Sequence, residues 1–248
     1  MNGPVESLPI DRVAFAAPAR RSGFRPTAGL LVIAALGLAV FPWVGGDYYA
    51  GLLMRVMILG IFAMSLDLLI GYTGLISFGH AAFFGLAGYL LAIVTPADGI
   101  SVWIVVPAIL AATAVVAAAI GWLAIRTSGI YFIMLTLAFA QMLYYFFNDN
   151  PHFGGSDGLF LASRPTVSIG SLNLLDLADK TTLYYVVLVS LVAAFLLLSI
   201  LLRSPFGRVI CAIRVNEGRT RALGYPVRRY KLASFVIAGT LAGFAGVL

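Results

Sequence analysis

Apolar residues in this chain come in long blocks rather than at the two-residue period of a strand. Seven blocks stand out: 28–44, 50–70, 75–94, 102–125, 129–147, 183–202 and 232–248. A helix that crosses the hydrocarbon core needs about 20 mostly apolar residues. The blocks therefore predict an all-α, polytopic transmembrane helical bundle of about seven spans, occupying 28–248. The first block is short, with Pro42 near its end, and the last stays apolar up to Leu248. A natural C-terminus commonly adds a polar exit, so the transmembrane domain is expected to be incomplete there. Residues 1–27 carry Arg12, Arg20, Arg21 and Arg25 among four prolines, without a small-residue cleavage site. They read as a disordered cytoplasmic tail leading into a signal anchor.

Composition strengthens this reading. The chain is 61% hydrophobic and 10% charged, too apolar for one soluble core, which is about a quarter charged. The net charge of +6 is then a question of topology, and no nucleic-acid partner is inferred from it. The tail 1–27, the Arg126 turn and the segment 203–231 hold 13 of the 16 Lys and Arg residues. The alternate loops 45–49, 95–101 and 148–182 hold six of the ten acidic residues. Seven spans with a cytoplasmic N-terminus put every basic loop inside, as the positive-inside rule requires.

Polar groups inside apolar blocks are costly and mark partners or paths. Asp67 precedes the break Gly71-Tyr72-Thr73-Gly74, and Ser77 and His80 follow it. With Thr136 and Gln141 they could bound a translocation path. The structural alternative has Asp67 capping a helix that begins near Gly71 and His80 bonding a neighbouring helix. The break itself reads either as an interrupted helix facing a path or as a tight turn. Small residues at Ala81/Gly85, Gly239/Gly243 and Ala242/Gly246 predict close helix contacts, within the chain or with a second membrane subunit.

The outer loop 148–182 is long for a plain connector. Its Gly154-Gly155-Ser156-Asp157-Gly158 cluster specifies turns. It reads equally as a docking surface for an external partner or as a flexible cap.

The segment 203–231 carries helix punctuation. Ser204-Pro205 is a cap followed by proline at the first helical position. Phe206, Val209, Ile210 and Ile213 then share one face. Asn216-Glu217-Gly218 should loosen the helix, and a second short stretch over 219–223 should end at Gly224, with Pro226 beyond it. Such a segment could lie on anionic lipid or serve as a rigid knob for a protein.

No residue set supports catalysis or a cofactor. The two histidines and one cysteine form no metal-spaced cluster, and no Gly-rich phosphate loop is present. The chain is not expected to be an enzyme, and ATP-driven transport would need an ATPase on another chain.

Four blocks together resemble one family. They are Gly71-Tyr72-Thr73-Gly74-Leu75-Ile76-Ser77-Phe78-Gly79-His80, then Gly129-Ile130-Tyr131-Phe132, then Gly154-Gly155-Ser156-Asp157-Gly158-Leu159, and finally the run from Ser204-Pro205-Phe206-Gly207-Arg208 through Asn216-Glu217 and Ala222-Leu223-Gly224 to Arg229-Tyr230-Lys231. This set is similar to the M-type permease subunits of branched-chain amino-acid ABC importers. The resemblance implies a bacterial inner-membrane protein working with ABC ATPase subunits, an H-type second permease and a periplasmic substrate-binding protein. It implies that Glu217, Arg219, Arg221, Ala222, Leu223 and Gly224 form the coupling helix, and that 148–182 faces the binding protein. Related permeases carry urea or short amides, and a secondary transporter or channel is the alternative from a different class. Members continue past the equivalent of Leu248, and Gly218 weakens the start of the coupling helix.

Overall fold

The computed structural model describes residues 25–44, 46–94, 102–150, 153–155, 159, 167–169, 172–175 and 179–248. The tail 1–24 and the turn residues Ser156, Asp157 and Gly158 lie outside them. The chain divides into two compact units, 1–38 and 39–248. The first carries the beginning of helix α1, Arg25–Val44, and the second carries the end of α1 and all later elements.

Each apolar block carries a helix, the block 75–94 only from Ala81 onward. The helices are α1, α2 (Gly46–Asp67), α3 (Ala81–Val94), α4 (Val102–Ala124), α5 (Ile130–Asn148), α6 (Lys180–Arg203) and α9 (Val227–Val247). Among the described residues, five are long and apolar enough to cross a membrane, whereas Ile33–Trp43 and Ala81–Val94 are shorter. Between α6 and α9 lie two short helices, α7 (Pro205–Val215) and α8 (Glu217–Ala222). In the outer loop a small antiparallel hairpin pairs β1 (Val167–Ile169) with β2 (Leu172–Leu175). Gly154 and Gly155 just before it have positive φ, as the turn signal anticipates.

Helix α9 is the packing centre, in contact with α2, α3 and α4, while α6 lies along α2. Glycines make the α4–α9 crossing close. A Cβ at Gly243 would stand 2.7 Å from Thr113 Cγ2, and one at Gly239 would stand 2.9 Å from Ala117 Cβ. Backbone approach of this kind supplies dispersion contact where lipid removes the usual hydrophobic drive between helices. The small-residue runs of α9 are thus used inside this chain, with Gly246 lying against the carbonyl of Phe84. The Ala81/Gly85 pair behaves differently: Gly85 has no neighbouring heavy atom within 4 Å of a built Cβ. Outward faces carry Ile104, Val115, Met134, Val189 and Ile200 exposed, as lipid contact requires. Trp43, Tyr48, Tyr49 and Trp103 are exposed near the ends assigned outside, where amphipathic rings favour the membrane interface.

The block 75–94 departs from expectation. After α2 the chain widens into a π-helical stretch, Leu68–Thr73, and leaves it at Gly74, whose φ of 76° is left-handed. From 74 to 80 the backbone is non-helical, and α3 begins only at Ala81. Along 74–79 exposed and buried residues alternate strictly, the period of an extended chain. Leu75, Ser77 and Gly79 point inward; Ile76 and Phe78 point outward. Asp67 does not cap a helix start. It has helical φ and ψ with no side-chain cap bond, and its carboxyl group lies over Gly71.

Candidate functional site

Seven non-helical residues within an apolar block leave backbone groups without the i→i−4 ladder, and in lipid such groups need protein partners. Some of these partners are visible. Leu75 N–H donates to the Leu69 carbonyl at 2.9 Å. Phe78 N–H donates to Thr136 Oγ1 of α5 at 3.3 Å, while that hydroxyl donates to the Ile133 carbonyl at 2.9 Å. Gly79 sits directly on the Thr136 carbonyl, where a Cβ would collide. The break is therefore clamped to α5 by one threonine and one glycine.

Its far end is fixed by His80, 2% exposed. Ser65 of α2 donates its hydroxyl to the Phe62 carbonyl at 2.6 Å and stands 2.9 Å from His80 Nε2. The hydroxyl hydrogen being spent, Nε2 must be the donor, so His80 Nδ1 carries a bare lone pair. Nδ1 and the Ser77 Oγ are buried and find no hydrogen-bond partner among the described residues. Leaving a buried polar atom unpaired costs about 1–3 kcal/mol, so two of them three residues apart on the break single it out as the candidate site among the described residues. The imidazole is walled by Phe62 and Phe83, ring centroids 5.4 and 5.9 Å away.

Of the residues expected to bound a path, Ser77, His80 and Thr136 are buried together around the break. Asp67 is exposed at the end of α2, with its carboxyl group over Gly71. Gln141 is exposed on α5 and lines a cavity of about 260 Å³ between α3 and α5, with Ala81, Gly85, Tyr89 and Tyr144. A larger cavity of about 760 Å³ lies between α6 and α9, walled by Leu197, Leu201, Ile237, Leu241 and Phe244. Its hydroxyls are already used: Thr240 donates to the Val236 carbonyl and Ser204 to the Leu201 carbonyl. The polar break, not this apolar groove, has the chemistry of a site.

The second part of the site is the basic segment. Ser204 caps α7, accepting from Gly207 N–H, with Pro205 in the first turn. Gly207, Ile210 and Ile213 are buried, and Phe206 stacks on Tyr230 at 5.6 Å. Asn216 ends α7 and caps α8, its side chain accepting from Arg219 N–H at 2.9 Å. The hinge is therefore this one residue, and Gly218 lies inside α8. Beyond Ala222 the chain turns at Gly224, with φ of 87°, as the cap signal predicts. Arg219, Arg221, Ala222, Leu223 and Gly224 are exposed; Glu217 is half-buried. Leu223 is 71% exposed and Val215 86% exposed, an apolar pair amid arginines. Cys211 is exposed on α7.

Two contacts are not anticipated by the sequence, one joining the two parts and one inside the basic segment. The Arg214 guanidinium donates to the Gly71 carbonyl, seating α7 against the start of the break. Lys231 Nζ of α9 lies 2.6 Å from Glu217 Oε2. Fourteen residues separate the second pair and 143 the first, beyond the range of any helical spacing rule.

The profile of the family described as "Branched-chain amino acid transport system / permease component" matches residues 48–248. The chain is 28% identical to the high-affinity branched-chain amino acid transport system permease protein LivM of Escherichia coli (strain K12), over 88% of this chain and 56% of that protein. It is 27% identical to LivM of Salmonella typhimurium (strain LT2), over the same shares. It thus spans about half the length of these relatives. No solved structure matches. With apolar helices long enough to span and a profile match over most of its length, the chain is a multi-pass inner-membrane protein and belongs to the branched-chain amino-acid transport permease family.

Proposed function

We propose that this chain is the M-type permease subunit of an ABC importer for branched-chain or other hydrophobic amino acids. It would line the membrane path jointly with an H-type second permease. The single observation that carries the coupling role is α8: a capped helix, exposed along Arg219, Arg221, Ala222 and Leu223, seated through α7 beneath a buried polar break. In this reading α8 and Gly224 enter a cleft on an ABC ATPase. The break, with Ser77, His80 and Thr136, belongs to the path; Gln141 borders it from α5, and Asp67 lies at its basic end. The outer loop 148–182, with Gly154, Gly155, Ser156, Asp157 and Gly158, faces a periplasmic substrate-binding protein. Hydrolysis takes place on the separate ATPase subunits, and this chain holds no cofactor.

Family membership supports the transport class, and the exposed apolar–basic tip supports a protein partner over lipid. Leucine uptake into ATP-loaded vesicles, with the ATPase subunits, second permease and binding protein present, tests the reading. Reversing charge with Arg219→Glu and Arg221→Glu should abolish uptake while membrane insertion stays normal. Undiminished uptake by that variant would remove α8 as the coupler. Uptake of urea or a short amide instead of leucine would move the substrate class within the same family.

A further inference from the structure

Glu217 opens α8, and its two carboxylate oxygens take different partners. Oε1 accepts from Arg221 at 2.8 Å, one turn along the same helix; Oε2 accepts from Lys231 at 2.6 Å, on α9. The settings are unequal. The Arg221 side chain is 63% exposed and the Lys231 side chain 14%. An exposed i,i+4 pair adds little; the Glu217 side chain is itself 38% exposed, so it is loss of the carboxylate that leaves a secluded charge, that of Lys231, without its partner.

Lys231 belongs to the best-buried helix of the bundle. One turn further along α9, Phe235 meets Phe83 edge-on at 5.6 Å. Phe83, in the first turn of α3, meets His80 at 5.9 Å. Phe132 of α5 packs on Phe235 from another side at 6.2 Å. From Phe235 to His80 the contacts are ring on ring, and Lys231 joins them through the α9 backbone, within a glycine-tight bundle that shifts as a body rather than deforming. At the other end, most of α8 is exposed.

Resting on the reading of α8 as the ATPase-docking element, we infer that the Glu217–Lys231 pair is the link that carries α8 displacement into α9 and on to the break at Ser77 and His80. Glu217 is then a positioning residue for transport and not an ATPase contact. Arg214 on Gly71 supplies the second anchor, holding the start of the break to α7, so that the pair acts on the end of the break near His80 while α7 steadies the other.

The test is a double-mutant cycle in the reconstituted complex, reading leucine uptake per ATP hydrolysed. Glu217→Gln and Lys231→Met should each lower that ratio about tenfold, within the range of coupling between contacting residues. The ATPase should still co-purify and hydrolyse ATP. Lys231→Arg, which keeps the cation, should transport nearly normally. The double variant should fall no further than either single one. Because it strands no charge, it should fold even where a single variant does not. Efficient transport by the folded double variant, additive losses, or release of the ATPase by Glu217→Gln would each overturn the inference.

A second readout is independent of substrate. In a Cys211→Ser background, maleimide labelling of Ser77→Cys should change on adding ATP, and adding Glu217→Gln with Lys231→Met should abolish that change. An equal change in both backgrounds overturns the link. Absence of ATP-dependent leucine uptake by the unmodified complex, with the labelling change present, would instead sink the substrate assignment alone.

Discussion

Thr136 of α5 takes the backbone N–H of Phe78 on its hydroxyl, 58 residues away in sequence, and passes its own hydrogen to the Ile133 carbonyl. One side chain thereby completes both a helix turn and a stretch of chain that has no turn. Thr136→Val keeps the shape and removes the acceptor, leaving the partly buried Phe78 N–H unpaired at a cost of about 1 kcal/mol, the low end for such a group. Thermal unfolding in detergent should show a lower Tm for Thr136→Val and little change for Thr136→Ser.

Gly79→Ala should be harsher than Gly85→Ala, although both glycines flank the start of α3. A methyl group at Gly79 would collide with the Thr136 carbonyl, backbone that cannot swing aside, while the space at Gly85 is open. Overpacking of a tight site costs about 1–3 kcal/mol. The expected result is a clear drop in Tm and in uptake for the first variant and near-normal behaviour for the second.

His80→Phe distinguishes a structural role from a part in the path. The ring joins a wall already made by Phe62 and Phe83, and Ser65 keeps its bond to the Phe62 carbonyl. Removing an unpaired buried Nδ1 also relieves a desolvation cost. Phenylalanine is the larger ring, so overpacking at this closed site sets the loss of stability, at about 1–3 kcal/mol. Leucine uptake should fall steeply if the lone pair serves the path; normal uptake would confine His80 to a structural role.

Gly224→Ala forces a side chain into the left-handed region, at about 1–2 kcal/mol for an L-residue. Gly218→Ala, inside α8 and with only Asn216 Oδ1 near at 3.5 Å, should stabilise that helix by about 0.5–1 kcal/mol. Protease sensitivity of the segment should rise in the first variant and decline in the second, and uptake should follow docking.

Helices were legible here wherever local chemistry decides. Block length located α4, α5, α6 and α9 to within a few residues, and Ser204, Pro205 and Gly224 fixed the ends of α7 and α8. Asp179 shows the remaining error: its carboxylate caps Thr181 and Thr182 N–H, so α6 starts at Lys180, before the apolar block does. The break at 74–80 was hidden because hydropathy cannot tell an extended apolar chain from a helical one. Only contacts distant in sequence distinguish them, those of Thr136 with Phe78 and of Ser65 with His80. For the same reason Ser77, His80 and Thr136 could be named but not assembled, and Asp67 could not be separated from them. The Glu217–Lys231 pair was invisible as a pair, though both residues lie in a segment marked as functional.

The alternating faces of 74–79 constrain the length of this gene as well as its composition. Deleting or inserting a single codon there would exchange the two sides of the strip, turning Ile76 and Phe78 toward the core and Ser77 toward lipid. A helix absorbs such a change by rotating 100°; an extended strip fastened at Gly74 and Thr136 inverts. Homologous chains should accordingly tolerate gaps in the outer loop, whereas the spacing from Gly74 to His80 should be invariant even where the residues between them differ.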